Sequence, residues 1–150
     1  MTEQKPQRTN DRGIGLIKSF ESFSPQSYIC PAGKPTIGYG HVIGPGENFA
    51  EPISEKEASR ILAADVRKAE RSVLWLVDVP LTDNQFSALA SFVFNVGAQA
   101  FRTSTMRQYL NQGAFSRAAA EFDRWVYANK KKLSGLVRRR AAEKALFLRH

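Results

Sequence analysis

Apolar residues recur at helical spacing from Asp11 to about Phe23, through Ile14, Ile17 and Phe20, with Leu16 and Phe23 beside them. Pro25 cannot continue that helix and predicts its end. From Tyr28 to about Phe49 the periodicity disappears into glycine and proline with β-forming residues between. There "TIGYGHVIGPG" predicts a small twisted hairpin with glycine-dependent turns. "SEKE" then offers a capping box, Ser54 with Glu57, opening a long helix to about Val77. Its apolar Ile61, Leu62, Val66, Val73, Leu74 and Leu76 alternate with Arg60, Arg67, Lys68 and Arg71, so one side stays wet while the helix bridges two lobes.

A second box, Thr82 with Gln85, opens a helix that is apolar on every side from Phe86 to Val96, as a central buried helix must be, and Gly97 suits its C-terminal cap. Three shorter helices follow near 104–112, 115–127 and 136–148. The pattern predicts an α+β fold over residues 13–150: a hairpin lobe at about 24–53, and a helical lobe at about 78–150 that also takes in the N-terminal helix. Residues 1–12 read as a disordered basic and polar tail.

Composition narrows the class. The 150 residues suffice for one domain with a sizeable core. No apolar run approaches the roughly 18 residues of a membrane span. The polar start, "MTEQKPQRTNDRG", has no hydrophobic leader, so synthesis and folding in a cytoplasm are expected. A single cysteine excludes an internal disulfide framework. The net charge of +8 is uneven: residues 1–100 carry 10 Lys/Arg against 11 Asp/Glu, residues 101–150 carry 12 against 3. Such a basic half suits a polyanion, whether nucleic acid, anionic lipid or an acidic wall polymer.

Three side chains stand out chemically. Glu21 lies between Ile14 and Ile17 on the helical wheel, on a stripe facing inward or into a cleft, where lost hydration favours a protonated carboxyl. The plainer reading is a helix-end glutamate paired with a lysine. Cys30 and Thr36 follow at spacings of nine and six, which sets an acid, a thiol and a hydroxyl around one potential cleft. Arg138 shares a stripe with Ala141, Ala145 and Leu148, predicting an inward guanidinium that pairs with Glu21 or binds substrate, while Arg139 and Arg140 read as solvated, Arg140 opposite Glu143. Asn95, a polar residue in "FVFNVG", needs partners near the cleft, and a substrate amide or the residue opposite the acid would serve. His41 has no second histidine before the C-terminal His150, so no histidine metal site can form, and no cofactor is expected.

The Glu–Cys–Thr frame, with the threonine opening "TIGYGH", resembles the bacteriophage endolysins of the lysozyme type, glycoside hydrolase family twenty-four. "SFVFNVGAQAFRTSTMRQYLNQG" (91–113) and "FDRWVYANKKKLSGLVRRRAAEKALF" (122–147) are similar to that family's central and C-terminal blocks, so the resemblance runs from about Gly13 to Phe147. It implies a lysozyme-like fold and a muramidase acting on peptidoglycan between N-acetylmuramic acid and N-acetylglucosamine, with Glu21, Cys30 and Thr36 as catalytic triad. Glycoside cleavage does need a proton donor at the leaving oxygen and a second group across the sugar ring. Glu21 is the expected acid, while Cys30 is left open between base, nucleophile and positional substitute. The family pattern further implies sugar contacts at Val42, Phe94 and Ser104 and an ion pair of His41 with Asp65. It also implies a monomer that stays in the host cytoplasm until a separate holin releases it to the periplasmic wall, with no nucleic-acid partner, while the positive face to which Lys130–Lys132 contribute suits contact with the anionic wall or outer membrane. Rival readings are a cationic nucleic-acid- or membrane-binding helical protein and a lytic transglycosylase.

Overall fold

The computed structural model describes residues 7–150. Helix α1 (Asp11–Glu21) starts where the Asn10 side chain accepts the Gly13 N–H, and it stops at Ser22, whose φ of 59° turns the chain ahead of Pro25. The segment before it departs from the expected disordered tail. Gln7 donates to the Leu81 carbonyl, Thr9 donates twice to Glu70, and Asn10 N–H donates to Ser87, so residues 7–10 are fastened to the helical body. The rest of the proposed tail, residues 1–6, lies outside the described residues.

The hairpin region is a three-stranded antiparallel sheet of β1 (Ser24–Ile29), β2 (Pro35–Gly38) and β3 (His41–Val42), in that order. β2 and β3 are the expected hairpin. β1 begins earlier than the pattern suggested, because its side chains are almost all exposed and carry no alternation to read. Register pairs Tyr28 with Thr36, and Thr36 with Val42.

Helix α2 (Glu55–Leu76) is capped by Ser54 and joins two separate cores. Its first half adds Ala58, Leu62 and Val66 to Ile17, Ile37 and Ile53 beside the sheet. Its second half adds Val73 and Leu76 to a larger core around Phe86, Leu89, Phe92, Phe101 and Phe122. Burial of each such aliphatic or aromatic side chain stabilises by about 1.5–3 kcal/mol. The larger core is built on α3 (Asp83–Val96), whose Thr82–Gln85 capping box forms as expected. Around it pack α4 (Ala98–Arg102), α5 (Thr105–Asn111), α6 (Phe115–Glu121) and α7 (Ser134–Leu148).

The last third differs from the expectation in two places. The helix expected to reach residue 127 ends at Glu121 with one 3-10 turn after it, and a second hairpin follows, β4 (Tyr127–Ala128) and β5 (Lys131–Lys132). Its turn residues Asn129 and Lys130 both have positive φ, as a two-residue hairpin turn of matching twist requires. Lysine at the second turn position hides the Asn-Gly signature by which such a hairpin is recognised. Helix α4, five residues long, was also missed, since a single turn is too short to show periodicity.

Candidate active site

A cleft of about 500 Å³ lies between the sheet and the helical body, lined among others by Glu21, His41, Val42, Asp65, Phe94 and Asn95. Glu21 is the last residue of α1, its side chain 23% exposed. Arg139 Nη1 donates to its Oε1 at 2.7 Å. The other oxygen faces Gly40: a Cβ built on that residue would stand 2.5 Å from Oε2. Gly40 also has φ of +77°, so no other residue could take its place without both backbone strain and a clash with the carboxyl. One oxygen of the acid is thus anchored and the other held toward the cleft. Arg139 was expected in solvent, and Gly40 to make room for sugar rings or for hairpin curvature, whereas the group it makes room for is the Glu21 carboxyl.

The arginines of α7 required a correction. Arg138 is exposed, and it is Arg139 and Arg140 that are buried. The buried positions 139, 140, 143, 146 and 147 form the true inner stripe, on the opposite face of the helix from the one expected. With apolar side chains on every side of α7, hydrophobic period could not select the phase. Glu143, fully buried, receives the Ser91 hydroxyl at 2.6 Å and lies 2.9 Å from Arg140 Nε and 3.4 Å from Arg139 Nε. Burial pushes its carboxyl upward, and Arg140, Ser91 and Arg139 oppose that. The guanidiniums also lie over aromatic rings, Arg139 over Phe20 at 5.8 Å and Arg140 over Phe92 at 5.1 Å. Each arginine then reaches one cleft residue, Arg139 to Glu21 and Arg140 to the Asn95 carbonyl oxygen. The polar residue in "FVFNVG" therefore has a protein partner.

Cys30 and Thr36 meet across the β1–β2 turn, where Cys30 N–H donates to the Lys34 carbonyl. Thr36 is buried and its hydroxyl donates to the same carbonyl at 3.0 Å. The Lys34 N–H, and the Thr36 hydroxyl when it turns from that carbonyl to the sulfur, hold the thiol below its ordinary value, against a smaller opposing effect of burial. Neither residue is on the cleft lining, but Thr36 is the cross-strand neighbour of Val42, which is.

His41 Nδ1 lies 2.7 Å from Asp65 and Nε2 3.1 Å from Glu47, which ties the sheet to α2 as expected and adds a second carboxylate. Burial works against the imidazolium, yet Asp65 and Glu47 together outweigh it and raise the histidine's pKa. Phe94 and Val42 line the cleft, Phe94 half-buried and Val42 exposed. Ser104, expected near them, is elsewhere. It caps α5, donating to Phe101 and accepting from Arg107 N–H, and lines a second pocket of about 530 Å³ with Trp125 and Glu121. Among the described residues no group of His, Cys, Asp and Glu is placed to hold a metal ion, and no helix is long and apolar enough to cross a membrane.

Residues 18–143 match the family model described as phage lysozyme. The endolysin of Acyrthosiphon pisum secondary endosymbiont phage 1 is 40% identical over 142 residues, covering 92% of this chain and 96% of that protein. Among solved structures, the muramidase domain of SpmX from Asticaccaulis excentricus superposes with a TM-score of 0.87 at 37% identity, over 96% of this chain and 99% of that one. A variant of P22 lysozyme gives a TM-score of 0.87 at 35% identity, over 95% and 99%. The α+β arrangement described above is thus the lysozyme-like fold.

Proposed function

The chain belongs to the phage lysozyme family and is a peptidoglycan-degrading glycoside hydrolase, and on that footing we propose that it cuts the β-1,4 bond between N-acetylmuramic acid and N-acetylglucosamine and so lyses the host cell. The single observation that carries this reading is the seat of Glu21. Arg139 fixes Oε1, and Oε2 projects past Gly40 into the cleft, placed to carry a proton to the glycosidic oxygen. Cys30 and Thr36 act from the sheet side. The lowered thiol pKa increases the share of thiolate, a form able to activate water or to attack the sugar, and Thr36 orients the sulfur or the water. Val42, Phe94 and Asn95 contact the glycan, and Arg140 keeps the Asn95 amide turned so that its N–H groups face outward to an acetamido oxygen. The enzyme works as a monomer and reaches the wall from the cytoplasm through a separate holin pore.

The test is product analysis on purified peptidoglycan. Wild type generates new reducing ends, seen by mass spectrometry of the muropeptides. Glu21→Gln loses at least about a thousandfold in rate, the scale at which removal of a principal catalytic group acts. Cys30→Asp retains activity and Cys30→Ala loses most of it. Products ending in 1,6-anhydro sugars would instead identify a transglycosylase, and equal turnover by Glu21→Gln would remove Glu21 from the chemistry.

A further inference from the structure

Beside the cleft and continuous with it through Lys68, Ser72 and Ala98 runs a second groove of about 670 Å³. Its floor is the wet side of α2, where Lys68, Arg71, Ser72 and Trp75 fall at i, i+3, i+4 and i+7 and so share one face. The adjoining face carries the buried Ala69, Val73 and Leu76, Leu76 also reaching the groove, and none of the four side chains belongs to the core. Arg102 from α4 and Arg107 from α5 form the far wall. The lining therefore holds four cations and no carboxylate. Among the described residues none of the four lies within 4 Å of an acidic group.

Two features separate this groove from an ordinary solvated charged face. Arg107 is already ordered, its Nε donating to the Leu76 carbonyl and its Nη1 to the Arg102 carbonyl, so little freedom is left to lose when an anion docks on its remaining N–H groups. Trp75 is 83% exposed, an indole face left without a packing partner in a groove it shares with Lys68, Arg71, Arg102 and Arg107. A groove of this kind suits a ligand with anionic groups on a partly apolar frame, attached to whatever occupies the cleft.

We propose that this groove is an anion subsite for the free carboxylates of the peptides borne by the glycan strand, and that it makes the enzyme favour peptidoglycan with free carboxylates over peptidoglycan in which they are amidated. The proposal rests on the muramidase reading above, which supplies the polymer whose peptides reach the groove. The carboxylates pair with Arg71, Arg102 and Arg107, the peptide's apolar portions lie against Trp75, and Lys68 stands at the junction with the cleft.

The experiment compares uncross-linked peptidoglycan strands in two forms, native and amidated with carbodiimide and ammonia, with reducing ends as readout. Wild type shows about a tenfold higher kcat/KM on the native form, carried by KM, the scale of two or three partly exposed ion pairs. The double variant Arg71→Glu/Arg102→Glu loses that preference and keeps wild-type kcat/KM on the amidated strands. Lys131→Glu/Lys132→Glu makes the same change of charge on the distant β4–β5 hairpin and keeps the preference. Equal rates of wild type on both forms overturn the proposal while leaving the muramidase reading intact. So does a hairpin variant that loses the preference as fully as the groove variant, since bulk charge then explains it. A groove variant that keeps the preference but no longer binds phosphatidylglycerol vesicles assigns the groove to a membrane surface instead. Failure of wild type to release reducing ends from either form removes the muramidase reading as well.

Discussion

On the sheet side of the cleft His41 stands between Asp65 and Glu47, and on the helical side Glu143 stands between Arg139 and Arg140. Each cluster sets one charge between two of opposite sign, and each braces one wall of the cleft. They differ in access to water. Glu47 is exposed and Asp65 partly so, while Glu143 and its two arginines are almost wholly enclosed. In the open cluster solvent screens the attraction, and its histidine can exchange a proton with the medium, so the brace depends on pH. In the closed cluster each charge has been stripped of hydration and is tolerated only because the others remain. The first is an adjustable strut between sheet and α2. The second is an obligatory part of the core that also aims Glu21 and Asn95.

The sharpest way to break this contrast is Glu143→Gln. Removing that one charge leaves the buried Arg140 without a carboxylate and Arg139 with Glu21 alone, at an expected loss of about 3–5 kcal/mol read as the urea midpoint of unfolding. A loss below about 1 kcal/mol would place the closed cluster with ordinary surface ion pairs.

For the open cluster, the pKa of His41 is raised in the folded chain, so its contribution is fully present below the unfolded histidine's value and fades as pH rises through the folded one. Wild type should therefore exceed His41→Gln by about 0.5–1 kcal/mol near pH 5, with the gap closing as the medium turns alkaline. A gap that does not vary with pH would mean that packing against Phe49, and not charge, secures the sheet.

The smallest effect falls on the neighbour of the closed cluster. Arg138→Ala, on the exposed side of α7, should shift stability by less than about 0.5 kcal/mol and leave turnover unchanged, which thermal unfolding and a rate assay on peptidoglycan both test. Any large loss there would return the inner stripe to the phase expected from the sequence.

Much of this molecule was legible in its residues because the signals were local. Ser54 and Thr82 mark helix starts by hydrogen bonds spanning three residues, and the run from Phe86 to Val93, apolar but for Ser87 and Ser91, has no place but a core. Glu21, Cys30 and Thr36 could be singled out because a short frame in sequence becomes one helix end and one hairpin. The exposed β1, the one-turn α4 and the β4–β5 turn without glycine were not legible, since each lacks the alternation or punctuation by which a chain announces its shape.

What the order of residues determined by itself was the set of elements with strong period, the bridging role of α2 and the choice of Glu21 as the candidate acid. What only the tertiary structure decided was which arginine of three consecutive ones turns inward, that Glu21 is anchored from 118 residues away, and that Ser104 faces another pocket. The reason is physical. A helix with apolar side chains all around has no preferred face until its neighbours supply one, and buried charges select their partners by enclosure and distance, which sequence spacing does not encode.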